Sequence, residues 1–341
     1  MLLGGAHSAM NRSTLSRMRR LEQNQQASWT LEYPFSHVVL SSERYQYILQ
    51  LLADVESSYA ISEKKNTNRN IEKLRFVVAE YLRNCSPPNP SMEKLSLVTK
   101  FVYFSVYLGD CMHEPRAREL LLDFWSVFEG KEPTKESPIV QVAVDFMAEL
   151  EGFLGGPPDW SQGFFHSFRN SLSCYLWTSE HLGENIPHVE DYIRIRVETI
   201  FALPYLNLWR LLNRFPPSLA FMHGSAIRGL EDSAAMMMAL TNDLCSLERD
   251  LECGKQNIVT VVAARGNIDF DTAKNVVRSM HGATIKRHQE NDRLLRQSLF
   301  GEDNQLLRYL DFMKTCVCGN VMTMRRLPKR YATPPERTGS R

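Results

Sequence analysis

The stretch Asn242-Asp243-Leu244-Cys245-Ser246-Leu247-Glu248-Arg249-Asp250 decides how this chain is read. Asn242, Ser246 and Asp250 recur every four residues, so on an α-helix they line one face about one turn apart. Their side chains offer an amide oxygen, a hydroxyl and a carboxylate, the hard oxygen donors that magnesium prefers. Upstream of them, Ala234 to Leu240 is wholly apolar and includes Met236, Met237 and Met238. The polar row therefore emerges from a buried helix, where unsatisfied oxygens are costly. A hard cation would satisfy them. Three polar residues near a helix end are more often simply solvated, so the rest of the chain has to support the metal reading.

Composition narrows the choices. The 341 residues are 43% apolar, enough for a substantial core. Lys and Arg number 40 against 39 Asp and Glu, a net charge of +1. Phosphate-backbone binding needs a basic surplus or stripe, so this balance argues against a general nucleic-acid binder. Seven cysteines, an odd number without CxxC spacing, form no disulfide or zinc framework. No run of about 18 uncharged apolar residues is present, so no membrane span is expected. The polar, basic segment 6–26 offers no signal-peptide core. The expectation is a soluble cytoplasmic protein.

Helical periodicity dominates from Leu40 onward. Tyr45, Ile48, Leu51, Leu52, Val55 and Tyr59 recur at three and four residues, as do Leu74, Val77, Val78, Tyr81 and Leu82. Leu95 to Leu108 is almost uncharged and predicts a buried helix. Breakers separate the helices at Ser86-Pro87-Pro88-Asn89-Pro90, Gly155-Gly156-Pro157-Pro158, Pro187 and Pro216-Pro217. No segment shows strand alternation, and no fixed-period repeat is evident. These features predict an all-α chain: a flexible arm over residues 1–34, one domain over 35–331, and a mobile tail over 332–341.

Three further segments bear on the metal reading. Leu95–Leu108 runs into Gly109-Asp110-Cys111-Met112-His113-Glu114, where Asp110 and Glu114 share a helix face. Carboxylates at a helix C-terminus oppose its dipole, and a bound cation would reverse that penalty. Upstream of Asn242 lies Tyr192-Ile193-Arg194-Ile195-Arg196-Val197-Glu198-Thr199-Ile200. Arginine suits phosphate because its fork binds two oxygens and stays charged. Near the C-terminus, Arg325, Arg326, Lys329 and Arg330-Tyr331 form one basic cluster in a neutral chain. Each segment by itself reads first as ordinary surface charge.

Taken in order, the four segments resemble those of class I terpene synthases, microbial or fungal sesquiterpene cyclases in particular. Asn242 to Asp250 is similar to the family's NDxxSxxxE metal motif, with Asp in the final position. Asp110 to Glu114 resembles its DDxx(D/E) motif, with Cys111 in place of the second Asp. The resemblance covers roughly residues 70–331. It implies a single-domain α-helical bundle around an apolar cavity, and Mg2+ held by Asp110, Glu114, Asn242, Ser246 and Asp250, with three ions expected. It further implies an isoprenyl diphosphate bound by Arg196, Arg249, Arg330 and Tyr331. Arg196 would act as sensor, Thr199 as its link, and the carbonyl of Ile200 would face the reacting carbon, freed by the helix break that Pro204 favours.

Aromatic walls stabilise carbocations where water is excluded. Of the aromatic candidates, Phe76, Phe104 and Tyr107 flank or precede the acidic motif and are the expected cavity walls. Farnesyl diphosphate is the leading substrate and a sesquiterpene the leading product. A diterpene cyclase using geranylgeranyl diphosphate, a prenyltransferase and a non-catalytic helical interaction protein are the alternatives. A prenyltransferase normally carries a second Asp-rich motif, where this chain has Asn, Ser and Asp. The resemblance also leaves room for a homodimer.

Overall fold

Cap chemistry sets several helix starts in the computed structural model. Ser41 accepts from the Arg44 amide at the start of α1 (Ser42–Ser58). Asp269 accepts from the Thr272 amide, and Asp303 from the Gln305 and Leu306 amides, at the starts of two later helices. In each case a side-chain oxygen satisfies an amide that has no partner within the helix. The residues described are 35, 37–59, 61, 68–111, 116–134, 137–155, 159–181, 186–215, 224–298 and 303–327. The predicted arm and tail lie outside them.

Helices α2 (Asn68–Cys85), α3 (Met92–Cys111), α4 (Ala117–Phe128), α5 (Pro138–Glu151) and α6 (Asp159–His181) follow α1. Next come α7 (Val189–Thr199), α8 (Ala202–Leu212) and the long α9 (Ser225–Glu252). The last three are α10 (Ile258–Gly266), α11 (Phe270–Arg296) and α12 (Asn304–Arg326). No strand occurs among the described residues. The fold is all-α, as periodicity predicts.

The buried helix expected at Leu95–Leu108 is α3, whose residues Leu97 to Ser105 are all buried. One flank packs into a phenylalanine cluster. Phe104 meets Phe124 at 5.3 Å and Phe146 at 5.5 Å, while Phe128 stacks on Phe168 at 3.7 Å. These edge and offset contacts join α3 to α4, α5 and α6, and add about 0.5–1.5 kcal/mol per pair to ordinary burial. Across the bundle, α12 crosses α2 so closely that a Cβ on Gly319 would collide with the backbone of Asn84. At the same crossing the Cys316 thiol donates to the Cys85 carbonyl at 3.2 Å, and the Cys85 thiol to the Cys316 carbonyl at 3.6 Å.

Several polar groups in the core are paired across helices. Arg210 and Tyr309 both donate to Glu231 Oε1, at 3.0 and 2.5 Å. Between α9 and α11, Thr241 lies 3.2 Å from His281 and Ser233 lies 2.8 Å from His288. Such pairs fix the register of packed helices, because a shifted helix would strand a buried polar atom.

Candidate active site

A cavity of about 270 Å³ opens at the ends of α3 and α9. Its polar end carries Asp110, Arg196, Asn242, Asp243, Arg249, Asp250 and Lys255. Its apolar end is walled by Tyr81, Phe101, Tyr175, Phe201, Tyr205 and Met238. A charged mouth over an aromatic floor suits a ligand with an anionic head and a hydrocarbon body.

The polar end is built on α9. Asn242 and Asp250 both reach the cavity. Ser246, between them on the same face, is buried and donates to Asp250 Oδ2 at 2.5 Å. Asn257 Nδ2 donates to the same oxygen at 2.9 Å and to the Asp243 carbonyl at 2.8 Å. The shorter Asp250 is therefore held by its own neighbours on α9 and at the start of α10. Asn257 also caps α10, its side chain accepting from the Val259 amide at 3.0 Å.

Arg196, at the end of α7, reaches across to α9 as a fork. Its Nε donates to Asp243 Oδ1 and its Nη2 to Asn242 Oδ1, both at 2.8 Å. Asp243 is itself anchored, accepting at Oδ2 from the Tyr192 hydroxyl at 2.7 Å and the Ile258 amide at 3.0 Å. Burial is the largest single influence and opposes the Arg196 charge, but Asp243, Tyr192 and Tyr175 together overcome it and raise the pKa, so the guanidinium stays ionised. Arg194, two residues earlier, is exposed and pairs with Asp191 at 2.9 Å. Asp243, Tyr192 and Asn257 received no role from the sequence. Only the position of Asp243 inside the motif pointed to it.

On the opposite wall, Asp110 sits in the last turn of α3 and reaches the cavity. Arg249 spans the two helix ends, with Nη1 3.5 Å from Asp110 Oδ1 and Nη2 3.4 Å from Asp250 Oδ1. Cys111 is buried in the packing. Burial, and then Arg249, lower the pKa of Lys255.

The chain breaks between α7 and α8. Thr199 and Ile200 line the cavity there, and Phe201 adopts a left-handed backbone with φ of 59°. That conformation costs a bulky residue about 1–2 kcal/mol. Phe201 is held in it by ring contacts with Phe168 at 5.6 Å and Tyr175 at 5.3 Å. Pro204, four residues after Ile200, has no N–H to close a helical bond on the Ile200 carbonyl.

The expected aromatic walls need correction. Phe76 is 41% exposed and outside the lining, which runs instead through Val77 and Tyr81. One residue turns a helix by about 100°, enough to move a ring from the cavity to solvent. Phe104 is buried in the phenylalanine cluster, and Tyr107 is also off the lining; Phe101 takes the place on α3. Glu114, Arg330 and Tyr331 lie outside the described residues.

Residues 101–287, more than half of the chain, match the family profile described as terpene synthase family 2, C-terminal metal binding. The chain is 21% identical over 263 residues to (+)-eremophilene synthase of Sorangium cellulosum (strain So ce56), covering 74% of this chain and 78% of that protein. It is 24% identical to sesquiterpene synthase 14 of Postia placenta, over 67% of this chain and 58% of the relative. In structure it resembles 2-methylisoborneol synthase from Streptomyces coelicolor A3(2), solved in complex with Mg2+ and 2-fluoroneryl diphosphate. That likeness has a TM-score of 0.76 at 16% identity, covers 89% and 97% of the two chains, and bears on the fold.

Proposed function

The chain belongs to terpene synthase family 2, a family of isoprenyl-diphosphate lyases, and we propose that it is a sesquiterpene cyclase that ionises farnesyl diphosphate. The observation that carries this reading is the meeting of Asp110, Arg196, Asn242, Arg249 and Asp250 at the mouth of one aromatic cavity. The sesquiterpene synthases among its relatives support the C15 chain over the C20 one.

The donor set fits magnesium. The amide oxygen of Asn242, the hydroxyl of Ser246 and the carboxylates of Asp250 and Asp110 are hard oxygen ligands without nitrogen or sulfur. Ser246 would have to turn its hydroxyl from Asp250, and Asn242 would have to share its oxygen with Arg196. Asp110, Glu114, Asn242, Ser246 and Asp250 are the ligands assigned, for three ions. Bound there, magnesium would neutralise the charge that builds on the departing diphosphate.

The chain's own residues supply the rest. Arg196 and Arg249, with Arg330 and Tyr331, hold the diphosphate oxygens. Ionisation breaks the allylic C–O bond, and both electrons leave with the oxygen. The positive carbon then lies among the faces of Tyr81, Phe101, Tyr175 and Phe201, which stabilise it and exclude water. Thr199 positions the sensor, and the Ile200 carbonyl dipole faces the cation. Ring closure, then proton loss or water capture, ends the reaction.

Incubation of the protein with geranyl, farnesyl and geranylgeranyl diphosphates plus magnesium, followed by mass analysis of volatiles, tests the reading. A C15 terpene, hydrocarbon or alcohol, from farnesyl diphosphate is expected. A C20 product from geranylgeranyl diphosphate alone would reassign the substrate, and no product from any of the three would refute the activity.

A further inference from the structure

We propose that Lys255 is a further diphosphate-binding residue, delivered to the mouth of the cavity by the turn that closes α9. The inference rests on the reading of that mouth as a prenyl-diphosphate site.

The turn is built by Cys253-Gly254-Lys255, immediately after the last residue of α9. Gly254 has φ of 67°, a conformation that favours glycine. Its amide donates to the Leu251 carbonyl at 3.3 Å, and the Lys255 amide to the Asp250 carbonyl at 2.7 Å. This paired closure is the Schellman arrangement, which reverses the chain over the last helical turn. Since that turn carries Asp250, the reversal sets Lys255 beside a residue assigned to the metal site. Lys255 is half-buried and lines the same cavity as Asp110, Arg249 and Asp250.

Its Nζ donates to the Gly109 carbonyl of α3 at 3.5 Å. A lysine at a helix C-terminus can be simply a cap that complements the dipole. Three observations favour a ligand. The bond is at the long limit for a hydrogen bond, so the ammonium is loosely held. Arg196 and Arg249 on the same lining each hold a carboxylate, whereas Lys255 holds a neutral carbonyl and gives up less on turning to a phosphate oxygen. Finally, the half-buried ammonium stands beside a second cation, Arg249, as well as beside Asp110 and Asp250, so a multiply charged anion entering there meets two positive groups at one place. Diphosphate is such an anion, and lysine binds phosphate well as a compact point charge.

The test uses the full chain as wild type, Lys255→Met and Lys255→Arg. Inorganic pyrophosphate is titrated into each by calorimetry in excess magnesium, at a temperature where all three are folded. Lys255→Met should weaken binding by about tenfold to a hundredfold, the loss expected for one charge-assisted hydrogen bond. Lys255→Arg should recover most of it. Steady-state kinetics of Lys255→Met should show the loss in KM more than in kcat. Wild-type affinity in Lys255→Met, with or without a lowered melting temperature, would reduce Lys255 to a helix cap. Wild type that binds no pyrophosphate with magnesium would overturn the diphosphate reading itself, and this inference with it.

Discussion

Arg196 Nη2 lies 2.8 Å from Asn242 Oδ1, joining residues 46 apart in sequence and placing the proposed sensor directly on a proposed metal ligand. The second arm of the fork holds Asp243, so the guanidinium is aimed by two contacts at once. Lysine at this position would keep the charge and lose the fork. Arg196→Lys should therefore bind diphosphate but lower kcat by about 10²-fold. Arg194→Lys should be near wild type, since Arg194 faces solvent with Asp191. Pre-steady-state turnover of both variants decides between them, and a damaging Arg194→Lys would show that the sensor register is wrong.

Removing a metal donor should affect chemistry more than folding. Asn242→Ala and Ser246→Ala are each expected to lower turnover by at least about 10²-fold. Melting temperatures should drop only modestly for Asn242→Ala, whose side chain reaches the cavity. Ser246→Ala should cost more stability, because it removes a buried hydrogen bond to Asp250. Chelator should abolish turnover of the wild type. Full activity in chelator would remove the metal from the reading altogether.

Asp110 and Cys111 are neighbours with opposite placements: Asp110 reaches the cavity and Cys111 is buried in helix packing. Magnesium prefers oxygen to sulfur, so the thiol has no ligand role to lose. Asp110→Asn should be severely impaired, Cys111→Ala should retain most activity, and Glu114→Gln should fall between them. Relative kcat/KM values in saturating magnesium provide the ranking. A Cys111→Ala variant as poor as Asp110→Asn would contradict it.

Product pattern should follow the cavity lining. Phe76→Ala should leave the products of the wild type unchanged, because Phe76 is exposed. Tyr81→Leu should change product ratios, because Tyr81 lines the cavity and packs edge-on against Tyr205 at 5.1 Å. Gas chromatography of both variants with one substrate makes the comparison.

Acid should destabilise the fold through α11. Burial lowers the pKa values of His281 and His288 to about 4, against about 6.5 in an unfolded chain. Between those values the unfolded chain binds protons that the folded chain does not. Stability is thus fully present above about pH 6.5 and is lost as pH falls toward about 4, by up to ~3 kcal/mol per histidine. Urea midpoints at pH 7.5 and pH 5 should show the drop. His288→Gln, which keeps a polar partner for Ser233, should reduce it; an equal drop in that variant would clear His288.

Local spacing made much of this protein legible before any packing was known. The all-α class followed from three- and four-residue periodicity, and the buried helix at Leu95–Leu108 from its lack of charge. The row Asn242, Ser246, Asp250 was readable because four residues return nearly to one helix face, whatever the helix packs against. Tertiary structure decided the rest. Whether Phe76 or Val77 meets the cavity depends on a rotation of about 100° that is set by the neighbouring helices. The ties of Asp243 to Arg196 and Tyr192, and of Arg249 to Asp110, join residues on different helices. No periodicity encodes such pairs, because they exist only once the chain has closed and buried charges must find partners in whichever helix lies opposite.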